Sequence, residues 1–217
     1  MKKFIIHVDK SNKFNQILLP LAYKFAETLK NEKVPIETID NNIENKDITK
    51  IIFGSHANPE YWITNSNEND IIVNLEPLYK KDFRERNKKY LDLLNDRITL
   101  DYCSLNFKFL NTYHHFYIPP FYLWPQNINE DNVEKKYEVL FVGSTNESRK
   151  KNLKELMNRN IKLVSGFEIF SKNLNSAIKQ SKIYLHLNMD DANIFNYFKF
   201  AHSSLYNIVF AGHIGNI

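Results

Sequence analysis

Cysteine, glycine and long apolar runs are what this 217-residue chain has least of, with one cysteine and five glycines in all. Cys103, standing alone, excludes an internal disulfide and a cysteine-based zinc site, and it suits a reducing compartment. No apolar run approaches the roughly 18 residues that a membrane span requires. The amino terminus, MKKFIIHVDKSNKF, returns to charge after a short apolar run, so it reads as a first strand and not as a secretion signal. We therefore expect a soluble cytoplasmic protein. Charge of one sign is scarce too: 29 basic against 25 acidic residues leave a formal +4 spread along the chain. That balance argues against a nucleic-acid partner and gives slight support to an anionic ligand. No hydrolase elbow, zinc-deaminase signature or EF-hand loop is present.

What the chain does have is core material, with 43% apolar and 14% aromatic residues, more than a disordered segment carries. Strand-like and helix-like patterns alternate from end to end. Strands are expected at residues 3–8, 35–39, 48–53, 70–75 and 98–102. Helices are expected at 16–30, where Leu18, Leu19, Ala22, Phe25, Ala26 and Leu29 share a face, at 79–95, and in a short stretch at 105–110. Residues 118–136, with three prolines and no sustained period, read as a connection. The alternation then restarts, with strands at 137–142, 161–165, 182–187 and 207–211 and helices at 147–158, 171–180 and 193–206. Strands joined by helix-length crossovers imply parallel sheets. The expected class is α/β with two Rossmann-like domains, residues 1–117 and 137–217, the second incomplete because the sequence stops just after a core strand.

The richest stretch is YEVLFVGSTNESR, residues 137–149. A buried strand ending in Gly143-Ser144 and opening onto a helix near Asn146 aims unpaired amides beyond the strand end, where an anion such as a nucleotide diphosphate is favoured. One glycine makes neither the three-glycine dinucleotide fingerprint nor a Walker loop, and a plain turn is the competing explanation.

Taken in order, IIVNLEPL at 71–78, a charged helix ending in YLDLL at 90–94, LDYCSLN at 100–106, YIPP at 117–120, FVGS with Arg149, SKIYLHL at 181–187 and the unit 194–212 resemble GT-B glycosyltransferases of the spore-protein CgeB-like type. The similarity covers most of residues 50–212. It implies two facing Rossmann-like domains and metal-independent transfer of a sugar from a nucleotide diphosphate donor to a glycan or other hydroxyl acceptor, as in polysaccharide biosynthesis, with possible association with a membrane surface. The donor would meet Gly143, Ser144, Arg149, Asn196 and Lys199, and no cofactor or metal beyond the donor substrate is implied. The chain departs from the pattern at the donor helix. Asn196 stands where relatives carry a glutamate for the ribose, and Lys199 offers a point charge in place of arginine's planar fork. Two other readings stay open. One is a catalytically inactive nucleotide- or sugar-binding or assembly relative, and the other is an unrelated nucleotide-binding α/β protein.

Three acceptor-side residues are candidates for catalysis. His56, in GSHANPEYW, is a general-base candidate because imidazole titrates near neutrality; the alternative is a loop histidine before Pro59. Glu76 and Asp101 end strands, where a carboxylate can orient an acceptor or cap backbone amides, and we favour the cap for each. For Arg149, Lys150 and Lys151, simple exposure competes with phosphate contact. His186 reads as a core side chain, and His202 as helix surface. Phe116, Tyr117, Phe121, Tyr122 and Trp124 read as aromatics that pin the connection, with stacking on a sugar ring as the alternative.

Overall fold

Short runs of isoleucine, valine and phenylalanine flanked by amphipathic helices are suited to parallel sheets buried on both faces. In the computed structural model, residues 3–9, 15, 18–39, 48–118, 133–143, 145–166, 172–187 and 208–212 are described. They form two such sheets, and the chain divides into two compact units, Met1–Trp124 and Pro125–Ile217.

The first unit runs β1 (Lys3–Val8), α1 (Leu19–Asn31), β2 (Ile36–Ile39), β3 (Ile48–Phe53), a 3-10 turn (Ser55–Ala57), α2 (Pro59–Asn65), β4 (Ile71–Asn74), α3 (Lys81–Arg86), α4 (Lys88–Asp96), β5 (Ile98–Asp101), a second 3-10 turn (Ser104–Phe109) and β6 (His115–Tyr117). All pairings are parallel in the order β2-β1-β3-β4-β5-β6. The chain steps outward from β1 to β2 and then returns past β1 to β3. The point where the order reverses therefore lies between β1 and β3. Asn74 is level with Asp101 at the carboxyl ends of β4 and β5.

Packing follows the apolar periods. On α4, Tyr90, Leu93 and Leu94 recur at one-turn spacing and lie in a core with Ile52, Ile72, Trp62, Leu78 and Leu110. Leu93 and Leu94 have no exposed surface, which contributes about 1.5–3 kcal/mol each by area. The single helix expected over 79–95 is two. Asn87 breaks it with φ −120° and ψ 41°, and its Nδ2 donates to the Phe83 carbonyl at 2.8 Å in competition with helix continuation. Helix α2 was not expected, although Asn58 accepts from the Tyr61 amide at 3.4 Å and Pro59 occupies the first turn. Strand β6 was not expected either.

The second unit runs β7 (Tyr137–Val142), α5 (Glu147–Asn158), β8 (Leu163–Gly166), α6 (Lys172–Lys179), β9 (Ser181–His186) and β10 (Val209–Gly212), with all pairings parallel in the order β10-β9-β7-β8. Its core holds Leu140, Phe141, Ile178 and Tyr184. Here the order reverses between β7 and β9. A Cβ on Gly212 would come within 2.8 Å of the His186 Cβ, which explains a glycine in that strand. The helix expected at 193–206 lies outside the described residues, as do 119–132 of the expected connection. Among the described residues no helix is long and apolar enough to cross a membrane.

Candidate functional site

In open parallel sheets ligands bind beyond the carboxyl ends of the strands, near the reversal of strand order. In the first unit that edge is polar and tightly bonded. After β3 the chain turns through Gly54 at φ +78°, a left-handed conformation that suits glycine, and an added Cβ would lie 2.6 Å from Asn15 Nδ2. Asn15 instead donates that nitrogen to the Gly54 carbonyl at 3.1 Å. Beside it, Trp62 Nε1 donates to Asp9 Oδ2 at 2.7 Å, which ties α2 to the end of β1.

The turn after Gly54 presents His56. Its Nε2 lies 3.3 Å from Glu76 Oε1, and the two side chains keep 28% and 24% of their surface exposed. A second acid–imidazole contact, His115 with Asp101, is by contrast sealed from solvent at 4% and 0% exposure. Two of the expected acceptor-side residues, His56 and Glu76, are therefore in contact. Tyr90 packs edge-on to His56 with centroids 6.1 Å apart. Burial, and then the charges of Glu76 and Asp101, pushes its phenol well above the ordinary tyrosine value.

Asp101 has no exposed surface. Its Oδ2 accepts from Asn74 Nδ2 at 2.7 Å and contacts His115 Nε2 at 3.1 Å, while its Oδ1 accepts from the Cys103 amide at 2.8 Å. Asn106 Nδ2 spans both oxygens at 3.0 and 3.1 Å. A carboxylate surrounded in this way has no path to an acceptor hydroxyl, and its place is structural. Asn74, Asn106, His115, Asp9 and Asn15 are not among the expected site residues. The Asn-x-Glu spacing at 74–76 and the Asp101 to Asn106 interval were the available signals, since asparagine after a strand characteristically bonds backbone two residues on.

In the second unit, Gly143 follows β7 at the reversal point with φ +145°, a conformation that disfavours a side chain. Helix α5 begins where expected, and its cap Asn146 accepts from the Arg149 amide at 2.9 Å. Arg149 corrects the expectation of exposure: it is 7% exposed. Its Nε donates to the Leu187 carbonyl at 2.9 Å, Nη2 donates to the same oxygen, and the guanidinium carbon lies 5.6 Å from the Phe141 ring centre. The carbonyl at the end of β9 draws the guanidinium inward across Phe141. Lys150 and Lys151 are exposed, and Lys150 pairs with Glu147 at 2.9 Å. Ser144, Asn196, Lys199 and His202 lie outside the described residues, as do Phe121, Tyr122 and Trp124. Phe116 and Tyr117 lie on β6, each about half exposed, and His186 is buried against Phe210. Among the described residues no group of three His, Cys, Asp or Glu side chains is placed to hold a metal ion.

No protein-family model matches this chain, and no curated protein matches it significantly. The functional reading accordingly rests on the chemistry of the two strand-end edges.

Proposed function

We propose that the protein is a metal-independent glycosyltransferase of GT-B type that takes a sugar from a nucleotide diphosphate and passes it to a glycan or other hydroxyl acceptor. The single observation that carries this reading is the His56–Glu76 pair, reachable at the strand-end edge of a parallel sheet. With Nε2 turned to the Glu76 carboxylate, Nδ1 of a neutral His56 is the nitrogen that takes the acceptor proton. Glu76 fixes the ring and stabilises the imidazolium that forms, which makes the oxygen a better nucleophile toward the sugar. In the second unit the glycine-permitted turn after β7 leads into α5, and amides there suit the diphosphate together with Ser144, Asn196 and Lys199. Arg149, which donates to the Leu187 carbonyl, is not assigned to phosphate. We place the activity in the cytoplasm, where the lone thiol of Cys103 stays reduced.

The test is transfer from a panel of nucleotide diphosphate sugars. His56→Ala is expected to lose about 10²–10⁴-fold in turnover while donor affinity holds. Equal turnover by His56→Ala and the parent protein rules the pair out as the base. A second reading, an inactive nucleotide-binding relative, is supported by the burial of Arg149, whose guanidinium is bonded to the Leu187 carbonyl. Its signature is donor binding without transfer or hydrolysis in the parent protein.

A further inference from the structure

Glu76 stands in a loop, yet its backbone is held as firmly as a strand. Its amide donates to Asn74 Oδ1 at 3.0 Å. Its carbonyl accepts from Asn74 Nδ2 at 3.2 Å, from Asn106 Nδ2 at 2.9 Å and from the Leu78 amide at 3.1 Å. Each asparagine amide has two N–H groups, and each commits one to Glu76 and the other to Asp101. The oxygens are engaged as well: Asn74 Oδ1 also accepts from Tyr90 at 2.9 Å, and Asn106 Oδ1 accepts from the Tyr79 amide at 3.2 Å. Asp101, Asn74 and Asn106 are each without exposed surface, so the cage cannot exchange these bonds for water.

We infer that Asn106, with Asn74 and the buried Asp101, is a positioning residue that sets the Glu76 carboxylate against His56. The inference rests on the reading of His56–Glu76 as the reactive pair, but the geometry itself does not require a donor. Asn106 comes from the 3-10 turn after β5 and Asn74 from the end of β4, so the loop after β4 is fixed from two elements at once. Glu76 then meets His56 without ordering its own backbone at each turnover. A misplacement near 1 Å at a reacting group can cost about 10²-fold in rate, and this is the effect that the cage prevents.

The decisive readout is the His56 ring N–H in a proton–nitrogen NMR spectrum of the whole chain without any nucleotide. In the parent protein the Nε2 proton, bonded to Glu76, gives a low-field signal that Glu76→Ala removes. Asn106→Ala retains Glu76 and is expected to remove the same signal. Leu110→Ala, a cavity in the same core, lowers stability and leaves the signal in place, which separates positioning from simple loosening. If Asn106→Ala does not fold, Asn106→Ser, which keeps a donor near Asp101 but falls short of the Glu76 carbonyl, is read in the same way. Persistence of the signal in the folded Asn106 variant, or its absence from the parent protein, overturns the inference. A parent protein that gives the signal but transfers no sugar leaves positioning intact and removes only the proposed function.

Discussion

Asp101→Asn preserves the shape of the side chain and deletes one acceptor, so its effect can be worked out bond by bond. If the amide oxygen stays with the Cys103 amide, the new NH2 faces Asn74 and His115, whose nitrogens now lie 2.7 and 3.1 Å from Oδ2. His115 can change tautomer and become an acceptor. Asn74 cannot, because its oxygen already receives the Glu76 amide and the Tyr90 hydroxyl. At least one bond to a charged acceptor is lost, about 1.5–3 kcal/mol, and one fully buried N–H is stranded, about 1–3 kcal/mol. Because part of this relaxes locally, we expect a loss of about 3 kcal/mol, which lowers the melting temperature of a unit of this size by roughly 10 °C. Calorimetry on the parent and the variant measures it. A fall of less than about 2 °C, within the range of an ordinary surface substitution, refutes the description of Asp101 as the centre of a closed network. A solvent-facing catalytic base would show the opposite pattern, with transfer abolished and melting unchanged.

Gly54→Ala combines a left-handed backbone with a Cβ 2.6 Å from Asn15 Nδ2. It should cost about 2–4 kcal/mol in urea unfolding, and a loss below about 1 kcal/mol contradicts the close approach. The phenols of Tyr90, Tyr102 and Tyr184 are all raised, chiefly by burial. A group whose folded value is raised binds its proton more tightly in the folded chain, so these three favour folding below the free-tyrosine value near about 10 and stability falls as pH climbs above it. Tyrosinate absorbance should therefore rise in two stages, with the buried phenols ionising only as circular dichroism is lost. A single stage for all twelve tyrosines with the fold intact would show that these three phenols are not raised.

Much of the fold was legible because the strands are short, apolar and β-branched. The runs at 3–8, 48–53 and 137–142 coincide with β1, β3 and β7, and the helix 147–158 with α5, since Asn146 caps it and Leu153 marks its buried side. Polar residues concealed the rest. Asn58-Pro59 reads as a turn, although the same pair starts α2. Asn87 hides a break within a charged amphipathic pattern. His115, Phe116 and Tyr117 carry too little apolar alternation to announce β6. In the site, His56 and Glu76 were accessible to inference because each follows a strand. Their contact was not, since only the parallel pairing of β3 with β4 brings the ends together. The asparagines were missed because their role depends on Asp101 being level with Asn74, which is a property of register and not of spacing.

The proposed function requires a nucleotide diphosphate sugar as donor, and thermal melting with a panel of such sugars tests that proposal most directly. At a hundredfold excess over Kd a bound donor adds about 2.7 kcal/mol, a shift of several degrees. At least one donor should produce that shift in the parent protein, and Gly143→Val, strained at φ +145°, should abolish it. An unchanged melting curve with every donor would contradict the account.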